Sequence, residues 1–135
     1  MNQLRYVFHM SDTHSGVTAR VAAASPKHPG PLVMLVRVHA RPDQIDVARR
    51  ALEKIAGPTR ANPDCLEFRI FQDRDDPQSF TLLEHWVSLE ANIEHGKRDY
   101  MAEYIATKDL IFDAFRGEFV QEICPPGTGS FAEPQ

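Results

Sequence analysis

Between Ser79 and Val87 the chain alternates: Phe80, Leu82, Glu84 and Trp86 share one parity, and Thr81, Leu83, His85 and Val87 the other. Period two, rich in β-branched and aromatic residues between turn formers, predicts a strand. One position breaks its apolar face. Glu84 stands between Leu82 and Trp86, where burial without a partner disfavours the charged carboxylate and raises its pKa. Ser88 follows as a helix N-cap with Glu90 in the first turn, and Gly96 offers the C-terminal stop. That helix carries His95 in its last turn, so Glu84, Trp86 and His95 are expected at one cavity.

The rest of the pattern builds around this unit. Leu32–Ala40 reads as a strand whose even positions (Leu32, Met34, Val36, Val38, Ala40) are wholly apolar. Asp43 is expected to cap a helix with Ile45, Ala48, Leu52, Ile55 and Thr59 on one stripe, and Asp46 is placed to pair with Arg50. Gly57-Pro58 is expected to kink or end it, and Asn62-Pro63-Asp64 to turn the chain. A second strand over Cys65–Asp73 puts Leu66, Phe68 and Ile70 on one face, and Arg74–Gln78 forms a hairpin loop. Met101, Tyr104, Ile105, Lys108, Phe112 and Phe115 then predict a helix to Gly117, with a last strand over Glu118–Ile123. The order β-α-β-β-α-β is the split pattern of an α+β ferredoxin-like sandwich, with its helices on one face of an antiparallel sheet.

The other face of that sheet would expose Val33, Leu35, Phe71, Leu83 and Val87, with Arg37, His39 and His85 among them. An apolar surface of this kind marks an interface, and a homodimer with sheets back to back covers it.

Composition narrows the partners. The 135 residues are 42% hydrophobic and 25% charged, with a formal net charge of −4. This suits one domain, read as residues 31–124, with an N-terminal extension over 1–30 and a tail over 125–135. A basic patch with interleaved aromatics is missing, so nucleic acid is not an expected partner. No apolar run reaches the roughly 20 residues that span a bilayer, and no secretory signal pattern opens the chain, which points to a cytoplasmic protein. Two cysteines, Cys65 and Cys124, fit a reducing compartment, and their places on opposite sheet edges argue against a bridge within one subunit. The extension holds one decoy. Val7–Gly16 resembles the first metal-binding motif of calcineurin-like metallophosphoesterases through Asp12 and His14, but the downstream motifs of that family are missing, so no metal is expected.

Phe80-x-x-x-Glu84-x-Trp86-x-Ser88, then His95 and Tyr100-Met101-x-x-Tyr104, resembles the antibiotic biosynthesis monooxygenase family. Arg41-Pro42-Asp43 and Pro63-Asp64-Cys65-Leu66 sit where that family has its first loop and its helix-to-strand turn. The resemblance covers roughly Pro31 to Ile123 and implies a dimeric α+β barrel. It also implies one of several activities: oxidation of quinols or polyketide phenols without metal or flavin, haem degradation, or a non-oxygenase role. The chain departs from each branch in places. Tyr100 stands where many quinol oxidisers have the His of a Thr-Pro-His element, and Asp64 replaces the usual turn glycine. Val36, His95 and Ile105 replace the Asn, Trp and His of the haem-degrading branch, and Leu82 the Asn of a polyketide-phenol branch.

These residues define a candidate pocket lined by Val36, Leu82, Trp86, Tyr100 and Tyr104, with Glu84 and His95 as catalytic groups. The leading expectation is a monooxygenase without cofactor, acting on a quinol-like or phenolic aromatic with molecular oxygen. Deprotonating such a substrate gives an electron-rich anion that itself reduces oxygen. Proton-transfer chemistry on a small carbonyl compound would use the same base without oxygen, and a non-catalytic dimeric binding module would keep only the fold.

Overall fold

The computed structural model describes residues 30–127. The N-terminal extension up to residue 29, with Asp12 and His14, lies outside the described residues. The elements run β1 (Leu32–Ala40), α1 (Ile45–Ala61), β2 (Cys65–Gln72), β3 (Ser79–Trp86), α2 (Leu89–His95), α3 (Asp99–Ile111) and β4 (Phe112–Val120). The strands form one antiparallel sheet in the order β2-β3-β1-β4. This is the expected ferredoxin-like α+β arrangement, with the β3 of the candidate site inside the sheet.

One sheet face makes the core. Met34, Val36, Val38 and Ala40 of β1 are buried with Phe80 and Leu82 of β3 and Phe68 of β2. Alternation puts them on the helix side, where removing each large apolar side chain from water contributes about 1.5–3 kcal/mol. Ala48, Leu52, Ile55, Ala56 and Thr59 of α1 cover them as one helical stripe.

Helix α1 differs from expectation at both ends. Gln44, not Asp43, occupies the N-cap position, and no side chain caps the helix. Pro42-Asp43 is instead spanned by a turn in which the Gln44 N–H donates to the Arg41 carbonyl at 2.9 Å. The helix also passes through Gly57-Pro58 to Ala61. A proline here removes one backbone bond and strains a helix interior by about 3 kcal/mol. The buried stripe continues past it, and the Thr59 hydroxyl donates to the Ile55 carbonyl at 2.6 Å, so packing outweighs the loss.

Two strands correct the sequence reading. In β2 the register shifts between Cys65 and Glu67, which oppose Trp86 and His85, so Leu66 becomes an extra residue and is 51% exposed rather than on the core face. Helix α3 stops at Ile111, six residues before the expected Gly117, and β4 begins at Phe112 instead of Glu118. Phe112 and Phe115 are three apart, which fits a helix. They also fit a strand with a bulge, and Asp113 is that bulge between Phe112 (opposite Ala40) and Ala114 (opposite His39).

The face away from the helices carries Val33, Leu35, Leu83 and His85, each half-buried, and the exposed Arg37 and Phe71. His39 lies there too, its Nδ1 2.6 Å from Asp113 Oδ1. Neither Cys65 nor Cys124 is in a disulfide among the described residues, and the Cys65 thiol donates to the Glu67 carbonyl at 3.5 Å. No helix among the described residues is long and apolar enough to cross a membrane.

Candidate active site

Strand β3 delivers Leu82, Glu84 and Trp86 to the helix side of the sheet in a row, all 6% exposed or less. Glu84 is flanked in register by Met34 on β1 and Phe68 on β2, both buried apolar side chains. Such surroundings offer a carboxylate little solvation, so burial pushes the Glu84 pKa up to about 7. The indole N–H of Trp86 opposes that rise. Trp86 Nε1 is itself fully buried and, among the described residues, is the buried side-chain polar atom that makes no hydrogen bond. The indole N–H therefore acts on the Glu84 carboxyl from outside strict hydrogen-bond geometry.

The turn after β3 supplies the next groups. Ser88 caps α2 as expected, its hydroxyl accepting from the Ala91 N–H at 3.1 Å. Gly96 ends the helix, and the Arg98 N–H donates to the His95 carbonyl at 3.1 Å as the chain turns into α3. This turn returns His95 to the strand it left. His95 is 5% exposed, and its ring centroid lies 4.5 Å from that of Trp86. On its other side, Nδ1 shares a 2.6 Å hydrogen bond with the Tyr100 hydroxyl, from the first turn of α3.

Tyr104 sits one helical turn further, its ring 6.1 Å from that of Phe112. Burial, and secondarily the charge of Glu84, push its phenol above the usual range and keep it protonated. Val36 and Leu82 face each other across β1 and β3, and Tyr100 and Tyr104 pack against the cluster that contains both. Val36, Leu82, Glu84, Trp86, His95, Tyr100 and Tyr104 thus form one contiguous group: a near-neutral carboxyl, a buried indole donor, a linked imidazole–phenol pair and an apolar wall. Chemically the group can exchange a proton at neutral pH. Among the described residues, no set of three or more His, Cys, Asp or Glu side chains is arranged to hold a metal ion.

A cleft of about 380 Å³ lies apart from this group, between α1 and the β2–β3 hairpin, lined by Arg49, Leu52, Glu53, Gly57, Arg60 and Phe80 among others. The sequence reading did not anticipate it. Its signal was present in the helical spacing of Arg49, Glu53, Gly57 and Arg60, which follow the polar edge of the buried stripe.

The family model described as antibiotic biosynthesis monooxygenase matches residues 31–107. The chain belongs to the antibiotic biosynthesis monooxygenase family. Its fold is that of several solved structures. A protein from Pseudomonas aeruginosa is similar with a TM-score of 0.67 at 21% identity, over 72% of this chain and 99% of that one. A Mycobacterium tuberculosis protein gives 0.66 at 22% identity, over 71% and 98%. A structure named as an antibiotic biosynthesis monooxygenase gives 0.64 at 19% identity, over 69% and 99%. No curated protein matches the chain. The family match ends inside α3, so it spans Val36, Leu82, Glu84, Trp86, His95, Tyr100 and Tyr104.

Proposed function

We propose that this member of the antibiotic biosynthesis monooxygenase family is a monooxygenase for a quinol-like or phenolic aromatic, with Glu84 as its general base and no cofactor. The observation that carries the reading is the buried Glu84 carboxyl, with a pKa raised to about 7, beside the buried Trp86 N–H. A base with that pKa is half deprotonated at neutral pH and strong enough to take a phenolic proton within a closed site. The name carried by the similar solved structure agrees with oxygen chemistry.

In this reading Glu84 takes the substrate hydroxyl proton. The Trp86 N–H then donates to a substrate oxygen. The resulting phenolate supplies the electrons to dioxygen. One oxygen atom enters a ring carbon as a carbonyl and the other leaves as water, so a CH₂-equivalent loses four electrons and O₂ gains four. His95, bonded to Tyr100, passes protons to the departing water in this reading. Val36, Leu82, Tyr100 and Tyr104 exclude bulk solvent from the anion. The active unit is a homodimer paired through the open sheet face of Val33, Leu35 and Leu83.

Oxygen uptake by the purified protein with a panel of hydroquinones and hydroxylated naphthalenes tests the reading. Consumption of one O₂ per substrate is expected without added metal, flavin or haem, with one oxygen atom added to the product as a new carbonyl and no hydrogen peroxide released. Substrate-independent oxygen traces across the panel, together with base-catalysed enolisation of a small ketone, would instead establish proton transfer alone.

A further inference from the structure

The cleft between α1 and the β2–β3 hairpin has the make-up of a ligand site that the Glu84 chemistry does not use. Its floor is apolar: Leu52 and Phe80 are almost fully buried, and Ile70 lies beside them. At its centre α1 offers only Ala56 and Gly57, and a Cβ built on Gly57 meets nothing within 4 Å. The volume of about 380 Å³ falls in the range of small-ligand pockets. Arg49, Glu53 and Arg60 supply its charges, two positive and one negative, on a chain whose net charge is −4. Gln72 is the remaining polar lining group, with its amide committed to the Pro77 carbonyl at 2.8 Å.

The two guanidinium groups differ. Arg49 Nε lies 3.9 Å from Glu53 Oε1, so its charge is largely answered within the helix. Arg60 donates through Nε to the Phe68 carbonyl at 2.9 Å, a neutral partner that fixes the plane of the guanidinium without cancelling its charge. A planar cation held at the edge of an apolar cleft suits bidentate recognition of a carboxylate. The cleft and the candidate active site lie along the same face of β3, separated by distance along the strand. Phe80 and Glu84 share one face of β3 but stand four residues, about 13 Å, apart, with the buried Leu82 between them.

We propose that this cleft is a second binding site, for a small organic anion with an apolar body, such as an aryl-alkyl carboxylate, whose carboxylate pairs with Arg60 and whose ring lies over Ala56, Gly57 and Ile70. The proposal stands on the cleft alone and does not depend on the reaction at Glu84.

Titrating isotope-labelled full-length protein with phenylbutyrate, and in parallel with the neutral phenylbutanol, tests it by amide and indole chemical shifts. Saturable shifts at Ala56, Gly57, Gln72 and Phe80 are expected, with the alcohol binding about tenfold more weakly or worse. Arg60→Gln should erase the preference for the acid over the alcohol. Gly57→Leu, which suits a helix and fills the open space, should abolish shifts at the cleft while the rest of the spectrum stays native. Shifts confined to the Trp86 indole and its neighbours, equal affinity for acid and alcohol, or binding unchanged in Gly57→Leu would each overturn the assignment.

Discussion

Trp86 and His95 hold their rings with centroids 4.5 Å apart and planes tilted by 39°, across the turn at which β3 becomes α2. The contact fixes the indole from one face while its N–H acts on Glu84 from outside strict hydrogen-bond geometry. Trp86 is therefore both wall and donor, and the two roles can be separated. Trp86→Phe keeps an aromatic face for His95 and deletes the N–H. The N–H lowers the Glu84 pKa, so its removal should raise that pKa further and move the basic activation of turnover to higher pH. A pH–rate profile of the variant checks the direction; a shift to lower pH would contradict it.

Stability should carry the same signature. The Glu84 pKa is raised from 4.5 in the unfolded chain to about 7 in the fold. Below pH 4.5 both states hold the proton and the fold bears no penalty. Between these values only the unfolded chain releases it, so stability falls as pH rises, and above 7 the loss levels off at about 3 kcal/mol. Urea unfolding of wild type and Glu84→Gln across pH 4 to 8 isolates this contribution. The difference between the two proteins should change by that amount, with Glu84→Gln gaining on wild type as pH rises.

The His95–Tyr100 bond makes a smaller claim. Tyr100→Phe removes the hydroxyl at 2.6 Å from Nδ1 and leaves the ring that packs on the core. The expected cost is about 1 kcal/mol in thermal or chemical unfolding, together with a lower kcat if His95 handles protons during turnover.

The open face of the sheet gives the fourth prediction. Leu83→Glu places a charge at the middle of that face, opposite Leu35 on β1 and Arg69 on β2. Sedimentation should find a dimer in wild type and a monomer in Leu83→Glu. A wild-type monomer at micromolar concentration would remove the proposed assembly.

How much of this was legible in the sequence depends on how regular each strand is. β3 runs without a bulge, so its strict alternation showed Phe80, Leu82, Glu84 and Trp86 as the buried face. The Ser88 cap and the Gly96 stop were equally readable because both act through local backbone groups. Leu66 and the start of β4 were misplaced where a bulge adds one residue and reverses the parity, at Cys65/Glu67 and at Asp113. A one-residue change of register is decided by pairing with the neighbouring strand, and the local sequence does not contain that partner. Pro58 misled for a related reason: its cost is local, whereas the packing of Leu52, Ile55 and Thr59 that outweighs it is tertiary. The raised Glu84 pKa was foreseeable from the apolar residues at 82 and 86. The second cleft left only the spacing of Arg49, Glu53, Gly57 and Arg60 in the sequence, since its depth arises where two small residues of α1 face β2 and β3.

The central claim is that Glu84 is the base, and turnover by Glu84→Gln tests it most directly. Glutamine keeps the size and hydrogen-bonding capacity of the side chain and loses the titrating oxygen. With a hydroquinone that wild type oxidises, oxygen uptake by the folded variant should fall by roughly 10²–10⁴. Uptake within a few-fold of wild type, by a variant with native circular dichroism and the same sedimentation coefficient, would contradict the account.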